Sequence, residues 1–337
     1  VQVSAIVLAH GAEPHLRRCV VALADEGAVD EILVVDNQAA AESLASVREL
    51  PGVRLLEPGE NLGFAGGCDY AAERSAGDIL VFVNSDAVVL PGAVTVLVRA
   101  LADSHIALVG ATARLADQPE LLNTIGNPVH FLMFSWVGDL GKPALPTHAE
   151  PREVASVSGV TFAVRREVWE QLGGFDENYF AYGEDVDLSL RAWQAGLRVV
   201  VEPAAEVWHH YEYARTPAKQ YLLERNRLIN LLTLPERRTR RLVAAPALAV
   251  EVGVFVVSIR DGWWRDKVAG WRWLATHRSL LGERRRRVDD ARRVPDRQIA
   301  PRLLQGALDP PEGVGVAVPA VVSRALELYW RWVVTRL

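Results

Sequence analysis

Three short polar clusters in this 337-residue chain are of the right types to handle a phosphorylated substrate. Asn84-Ser85-Asp86 follows an apolar run, residues 79–83. A carboxylate at the mouth of a buried strand can hold a divalent cation across two phosphates, although Asn, Ser and Asp in a row also make an ordinary turn. Asn61-Leu62-Gly63-Phe64-Ala65-Gly66-Gly67 is a glycine-rich turn entering a helix, where free N–H groups and the positive helix end suit a diphosphate. Asp36-Asn37 closes another apolar run. Each cluster is common alone, and the combination in this order is specific.

Two further groups lie downstream. Glu184-Asp185 stands ahead of a helix with Val186, Leu190 and Trp193 on its apolar face. Acidic residues there act as caps and dipole partners, or as a carboxylate kept ionised and ready to take a proton. Asp187 is the nearest rival. His209-His210 follows the strand pattern of residues 198–201, and a tandem pair in that place reads as structural or as metal-ligating.

These residues must be positioned by a regular scaffold. Residues 3–9, 31–35, 53–56 and 79–83 are β-branched apolar runs, separated by helical spacing at Leu16, Val20 and Leu23 and over 66–75 and 92–101. That alternation predicts an open, mostly parallel α/β sheet, whose ligands bind beyond the carboxyl ends of the strands. His10, Asp36 with Asn37, and Asn84-Ser85-Asp86 occupy those ends. Residues 115–155 are turn-rich and predict a long excursion. A strand resumes at 160–164, and a helix spans 185–195 until Gly196.

The motifs IVLAHG (6–11), ILVVDN (32–37), NLGFAGG (61–67) and VFVNSD (81–86), with the Gly-Gly-Phe-Asp-Glu and Glu-Asp elements within 158–197, resemble the family 2 inverting glycosyltransferases. That family includes bacterial rhamnosyl- and galactofuranosyltransferases, and the resemblance covers about residues 3–230. It implies a GT-A fold and transfer of a sugar from a dTDP- or UDP-sugar to a hydroxyl acceptor. Asp36 then binds the base, and Asp86 holds Mg2+ or Mn2+ with His209 as a further ligand. Ala9, His10, Asn37, Asn61, Gly66, Gly67, Asn84 and Ser85 line the donor site. Asp185 is the catalytic base, Glu184 positions acceptor or base, and Arg225 lies near the diphosphate or the acceptor. Asn84 departs from the family's Asp-x-Asp pattern by placing a neutral ligand in its first position. A sugar-phosphate nucleotidyltransferase is the rival enzyme, but His10-Gly11-Ala12-Glu13-Pro14 is a poor phosphate loop. An inactive membrane-docked scaffold is the non-enzyme rival.

The whole-chain properties agree with an enzyme of ordinary core size. Half the residues are hydrophobic and 23% charged, and the net charge of -5 gives no reason to expect nucleic acid. Cys19 and Cys68 lack zinc or disulfide spacing, and the chain opens on a strand pattern instead of a signal peptide, so a cytoplasmic catalytic part is expected. The expected division is a catalytic domain over 1–235, with donor half 1–110 and acceptor half 155–235, and a helical region over 236–337. There the apolar run 242–259, interrupted by Pro246 and Glu251, is flanked by arginines and tryptophans. With residues 320–337, it predicts peripheral contact with the inner face of a membrane and a lipid-linked acceptor, with an ordinary helical subdomain or a homo-oligomer interface as the alternative.

Overall fold

The computed structural model describes residues 1–145, 148–211, 217–311 and 318–337. The chain forms two compact units. The first comprises Val1–Asn127, Val137–Ala192 and Leu197–Tyr213; the second comprises Pro128–Trp136, Trp193–Gly196 and Ala214–Leu337. Both are discontinuous in sequence, so no single boundary such as residue 235 separates them.

The first unit is a sheet with helices on both faces. Strands β1 (Val3–Gly11), β2 (Glu31–Ala39), β3 (Val53–Leu56) and β4 (Ile79–Asn84) pair in parallel in the order β3-β2-β1-β4. The sheet continues with β5 (Ala87–Val89), β6 (Ile106–Leu115), β7 (Gln118–Thr124), β9 (Arg152–Glu153), β10 (Thr161–Arg165) and β11 (Arg198–His209), while β8 (Val129–His130) belongs to the second unit. The order from β4 is β4-β10-β6-β11-β5. The expected parallel arrangement holds for β1 to β4 and for β6 with β11, but β10 is antiparallel to both neighbours. That reversal brings the end of β4 beside the start of β10, Val83 opposite Thr161.

Strand β4 is apolar from Ile79 to Val83 because both faces are covered. Ile79, Val81 and Val83 join the core beneath α1 (Leu16–Ala24), which contributes Leu16, Cys19, Val20 and Leu23. On the opposite face Phe82 stacks on Phe162 at 4.8 Å and on Trp169 at 4.7 Å. Each such fully buried side chain contributes about 1.5–3 kcal/mol. The remaining helices of this unit are α2 (Ala41–Ala45), α3 (Gly63–Arg74), α4 (Ala93–Ala100) and α5 (Arg166–Leu172), with α6 (Glu184–Gln194) continuing past Ala192. Both cysteines are buried free thiols.

The second unit is helical: α7 (Pro217–Thr233), α8 (Arg237–Arg260), α9 (Trp264–Thr276), α10 (Arg278–Ala291), α11 (Asp296–Leu303) and α12 (Ala320–Val334), with β12 (Leu304–Gln305) pairing β8. Glu251, a solitary carboxylate in the apolar run of α8, meets Arg227 at 2.6 Å, Lys267 at 2.6 Å and the indole N–H of Trp271 at 2.5 Å. A buried charge survives only when paired and hydrogen-bonded in this way. The arginine run of α10 has a local task as well. Arg285 donates to the Leu232 carbonyl at 2.7 Å and Arg284 to the Thr233 hydroxyl at 3.1 Å, satisfying the end of α7. His130 donates from Nε2 to the Gly306 carbonyl at 2.9 Å and accepts the Leu132 N–H at Nδ1, which joins β8 to the segment after β12. Burial pushes its pKa down to about 4.

Candidate active site

The site begins where β5 and β11 pair. Their antiparallel register sets His209 opposite Ala87, next to Asp86. His209 is buried, with Nε2 3.1 Å from Asp86 Oδ1 and Nδ1 2.8 Å from Asn123 Oδ1. An amide oxygen can only accept, so Nδ1 carries a proton, and in the neutral ring Nε2 turns its lone pair toward a carboxylate oxygen that also accepts. A divalent cation would satisfy both acceptors, as a second ring proton would by making an ion pair. A hydrogen-bond acceptor on the far ring nitrogen is the usual way a ligating histidine is fixed. Asn123 Nδ2 has no partner among the described residues.

Asp86 keeps 32% side-chain exposure, and the His210 N–H donates to its carbonyl. No group of three His, Cys, Asp or Glu suited to a metal occurs among the described residues. Two protein donors still fit Mg2+ or Mn2+, because such ions on nucleotides take most of their ligands from phosphate and water. Glu13 braces this edge: it accepts the His10 N–H at 3.2 Å and bonds the Ser85 side chain. Burial raises its carboxyl above the usual range.

On the donor side, Asp36 Oδ1 accepts the Ala39 N–H at 2.9 Å. Asn37 is buried; it accepts the Leu62 N–H at 2.7 Å, donates to the Gly63 carbonyl at 3.2 Å, and its own carbonyl takes His10 Nδ1 at 2.8 Å. Asn61 accepts the Gly63 N–H and the Phe180 carbonyl accepts that of Ala65. The glycine-rich turn therefore differs from the expected anion cradle, since the N–H groups of Leu62, Gly63 and Ala65 are all engaged by protein. Its glycines serve close packing. A Cβ on Gly67 would lie 2.2 Å from Leu8 Cδ1 of β1, next to Ala9, and one on Gly66 3.3 Å from Leu62 Cβ.

The acidic pair opens α6. Asp185 Oδ1 accepts the Val186 N–H at 2.8 Å, and Oδ2 accepts the Gly159 N–H at 3.2 Å and stands 3.5 Å from Asn127 Nδ2. The next residue after Gly159, Val160, accepts the Asn84 N–H at 2.9 Å. Asn84 and Asp185 are thus tied to consecutive residues, Val160 and Gly159, and the segment from Asn123 to Asn127 touches both His209 and Asp185. Burial, with Asp185 next, raises the Glu184 carboxyl well above the carboxylate range, and its Oε2 has no partner among the described residues. Burial also raises Asp185, against which the Val186 and Gly159 N–H bonds favour its charged form. Both carboxyls are raised by burial, and only Asp185 has two backbone N–H groups holding its charged form. Asp187, the rival, is sealed: its side chain is fully buried against Arg191 at 2.8 Å, and Arg191 also donates to the Gly174 carbonyl.

The structure therefore gathers Asp86, His209, Asn84, Ser85, Glu184 and Asp185 in the first unit, with His10, Asp36, Asn37 and the glycine-rich turn along the same strand ends. Arg225 belongs to the second unit, where it donates to Asn226 Oδ1 and lies over the Trp273 ring at 4.9 Å. Asn123, Asn127 and Glu13 were missed by sequence reasoning. Two asparagines four apart inside the mostly apolar stretch 121–129 were the available signal.

Comparison with known proteins gives the family and the fold. The model of the glycosyltransferase like family 2 matches residues 2–230. The chain is 30% identical over 243 residues to N-acetylglucosaminyl-diphospho-decaprenol L-rhamnosyltransferase of Mycobacterium tuberculosis, covering 63% of this chain and 78% of that protein. GalNAc-T7 with UDP, GalNAc and Mn2+ is similar in structure, with TM-score 0.54 and 18% identity over 64% of this chain and 45% of that longer one. A mannosyltransferase from Pyrobaculum calidifontis in complex with GDP-Man and Mn2+ gives TM-score 0.50 and 16% identity over 84% of this chain and 79% of that one. At such identities the structural likeness carries the fold alone, which is the GT-A arrangement of a central sheet flanked by helices.

Proposed function

This chain belongs to the glycosyltransferase like family 2, and on that premise we propose that it moves a sugar from a dTDP- or UDP-sugar to a hydroxyl of a lipid-linked glycan, with inversion. It is an enzyme, and the nucleotidyltransferase and inactive-scaffold alternatives are not favoured. The observation that carries the reading is the facing pair of acceptors, His209 Nε2 and Asp86 Oδ1, at one end of a bonded segment that reaches Asp185 at the other.

Mg2+ or Mn2+, when bound at Asp86 and His209, supplies neutralising charge to the departing diphosphate. Asp185 takes the proton of the acceptor hydroxyl as its oxygen forms the new bond to the anomeric carbon and the bond to the diphosphate oxygen breaks. Displacement in one step from the opposite face inverts that carbon. Glu184, holding its proton, donates a hydrogen bond to orient the acceptor. Asp36 and Asn37 hold the nucleoside side, and residues 155–209 receive the acceptor.

A lipid-linked acceptor and a place at the cytoplasmic face of a membrane are favoured by α8. Only 17% of its most apolar window is buried within the protein, and Leu248, Val252, Val256 and Ile259 are 69%, 57%, 60% and 53% exposed along one stripe. Arg237, Arg238, Arg241 and Arg260 flank it, as suits anionic headgroups. Flotation with anionic but not neutral vesicles is expected, and its absence in both sets this placement aside. The transferase reading is tested by binding and turnover across UDP-, dTDP- and GDP-sugars with Mn2+, Mg2+ or chelator. One donor bound only with metal supports it; no donor bound under any condition refutes it.

A further inference from the structure

Just before the catalytic pair the backbone takes a rare shape. Phe180 has φ 62° and ψ -63°, and the Ala181 N–H donates to the Tyr179 carbonyl at 2.7 Å. This is the closure of a γ-turn in its strained hand. Tyr182 (φ 69°) and Gly183 (φ 85°) are left-handed as well and lead directly into Glu184. A side-chain-bearing residue keeps such a conformation only where its surroundings over-determine it, and strain of this kind gathers at functional sites. Burial of the ring does not account for it, since Phe180 is 39% exposed.

What holds the turn is the donor-side loop. The Phe180 carbonyl accepts the Ala65 N–H at 3.1 Å. A Cβ on Gly63 would stand 2.3 Å from that carbonyl oxygen and 2.6 Å from Cδ2 of the ring, so a glycine is required at this seat. Gly63 itself sits at φ 72°, with its N–H on Asn61 and its carbonyl on Asn37. Contacts and bonds run without a gap from the end of β2, through Asn37 and Gly63, to Phe180, and four residues later to Glu184.

We propose that Phe180 is a positioning residue for the transfer reaction: its γ-turn, seated on Gly63, fixes Glu184 and Asp185 in register with the donor-side loop. The proposal rests on the transferase reading given above. Phe180 acts through its backbone and does not touch the reacting atoms.

Phe180→Gly separates this from a structural role. Glycine adopts φ 62° freely, so the variant can fold, but it loses the ring that lies over Gly63 and gains backbone freedom to leave the turn. The full chain is compared with Phe180→Gly, Phe180→Tyr and Gly63→Ala in affinity for UDP and dTDP with Mn2+, in kcat for nucleotide release from UDP- and dTDP-sugars, and in the pH profile of kcat. In Phe180→Gly nucleotide affinity is expected to stay within about threefold while kcat falls about 10- to 100-fold, the scale of a 1 Å misplacement. The pH limb set by the carboxyl pair shifts with it, Phe180→Tyr restores both, and Gly63→Ala lowers kcat like Phe180→Gly. Wild-type kcat and pH limb in Phe180→Gly overturn the proposal. So does a parallel fall in affinity and kcat, which makes Phe180 a donor contact. If wild type binds neither nucleotide with Mn2+, the transferase reading itself has failed.

Discussion

Replacing Asn123 with Ala removes a side chain that touches neither donor nor acceptor in the account above, yet the account makes it a determinant of metal affinity. Asn123 is 1% exposed, and its Oδ1 fixes the His209 tautomer through the 2.8 Å contact to Nδ1. Without it the proton is free to sit on Nε2, which then donates to Asp86 Oδ1 across 3.1 Å. A hydrogen bond to a charged group is worth about 1.5–3 kcal/mol, and a cation must break it to bind. At 1.4 kcal/mol per tenfold, that is about 10- to 150-fold in affinity, which matches the general effect of removing the hydrogen-bond partner of a ligating histidine, about 10- to 100-fold. Asn123→Asp keeps the acceptor, disposes of the partnerless Nδ2, and is expected to bind metal at least as tightly as wild type. The assay is a Mn2+ titration followed by electron paramagnetic resonance in the presence of saturating nucleotide. A Kd for Asn123→Ala within twofold of wild type would refute the tautomer argument and the assignment of His209 as a ligand.

Two further outcomes concern stability. Asp187→Ala strands the Arg191 guanidinium in a pocket where its partner was fully buried, and breaking a pair of this kind costs about 3–5 kcal/mol; urea denaturation is the check, and a loss under about 1 kcal/mol contradicts the sealed-pair assignment. His130 carries a pH dependence with a definite sign. Its folded pKa of about 4 lies below the ordinary 6.5, so the unfolded chain gains a proton that the folded chain refuses, and stability is lost as pH falls from 6.5 toward 4. The loss reaches about 2 kcal/mol at pH 5 and about 3 kcal/mol in full. Denaturation at pH 7 and pH 5 of wild type and His130→Gln measures it, and an equal pH slope in both assigns the effect elsewhere.

Much of the fold was legible because buried strands and amphipathic helices leave different periods in the sequence. The runs at 3–9, 31–35, 53–56 and 79–83 all became strands. Strand direction leaves no such trace, so the reversal at β10 was invisible, although it is what brings Val160 to Asn84. Strand β7 was hidden by Pro119 and by charge at its start, and with it went Asn123. The glycines of the 61–67 turn announced a close approach without saying to what, and at Gly63 the neighbour is the protein's own Phe180. Glu251 read as a penalty within an apolar run because its partners Arg227 and Lys267 come from other helices. Asp187 and Asp185, equivalent by type and two residues apart, separate only once their surroundings are known: a guanidinium for one, backbone N–H groups for the other.

The central claim is that Asp185 takes the acceptor proton and has no part in holding the donor. The direct measurement is donor affinity with Mn2+ alongside kcat in Asp185→Asn, using the nucleotide sugar selected by the donor panel. The account expects affinity within about threefold of wild type and kcat lower by about 10²- to 10⁴-fold, the range a general base supplies. A kcat within tenfold of wild type, or donor binding lost together with turnover, would contradict it.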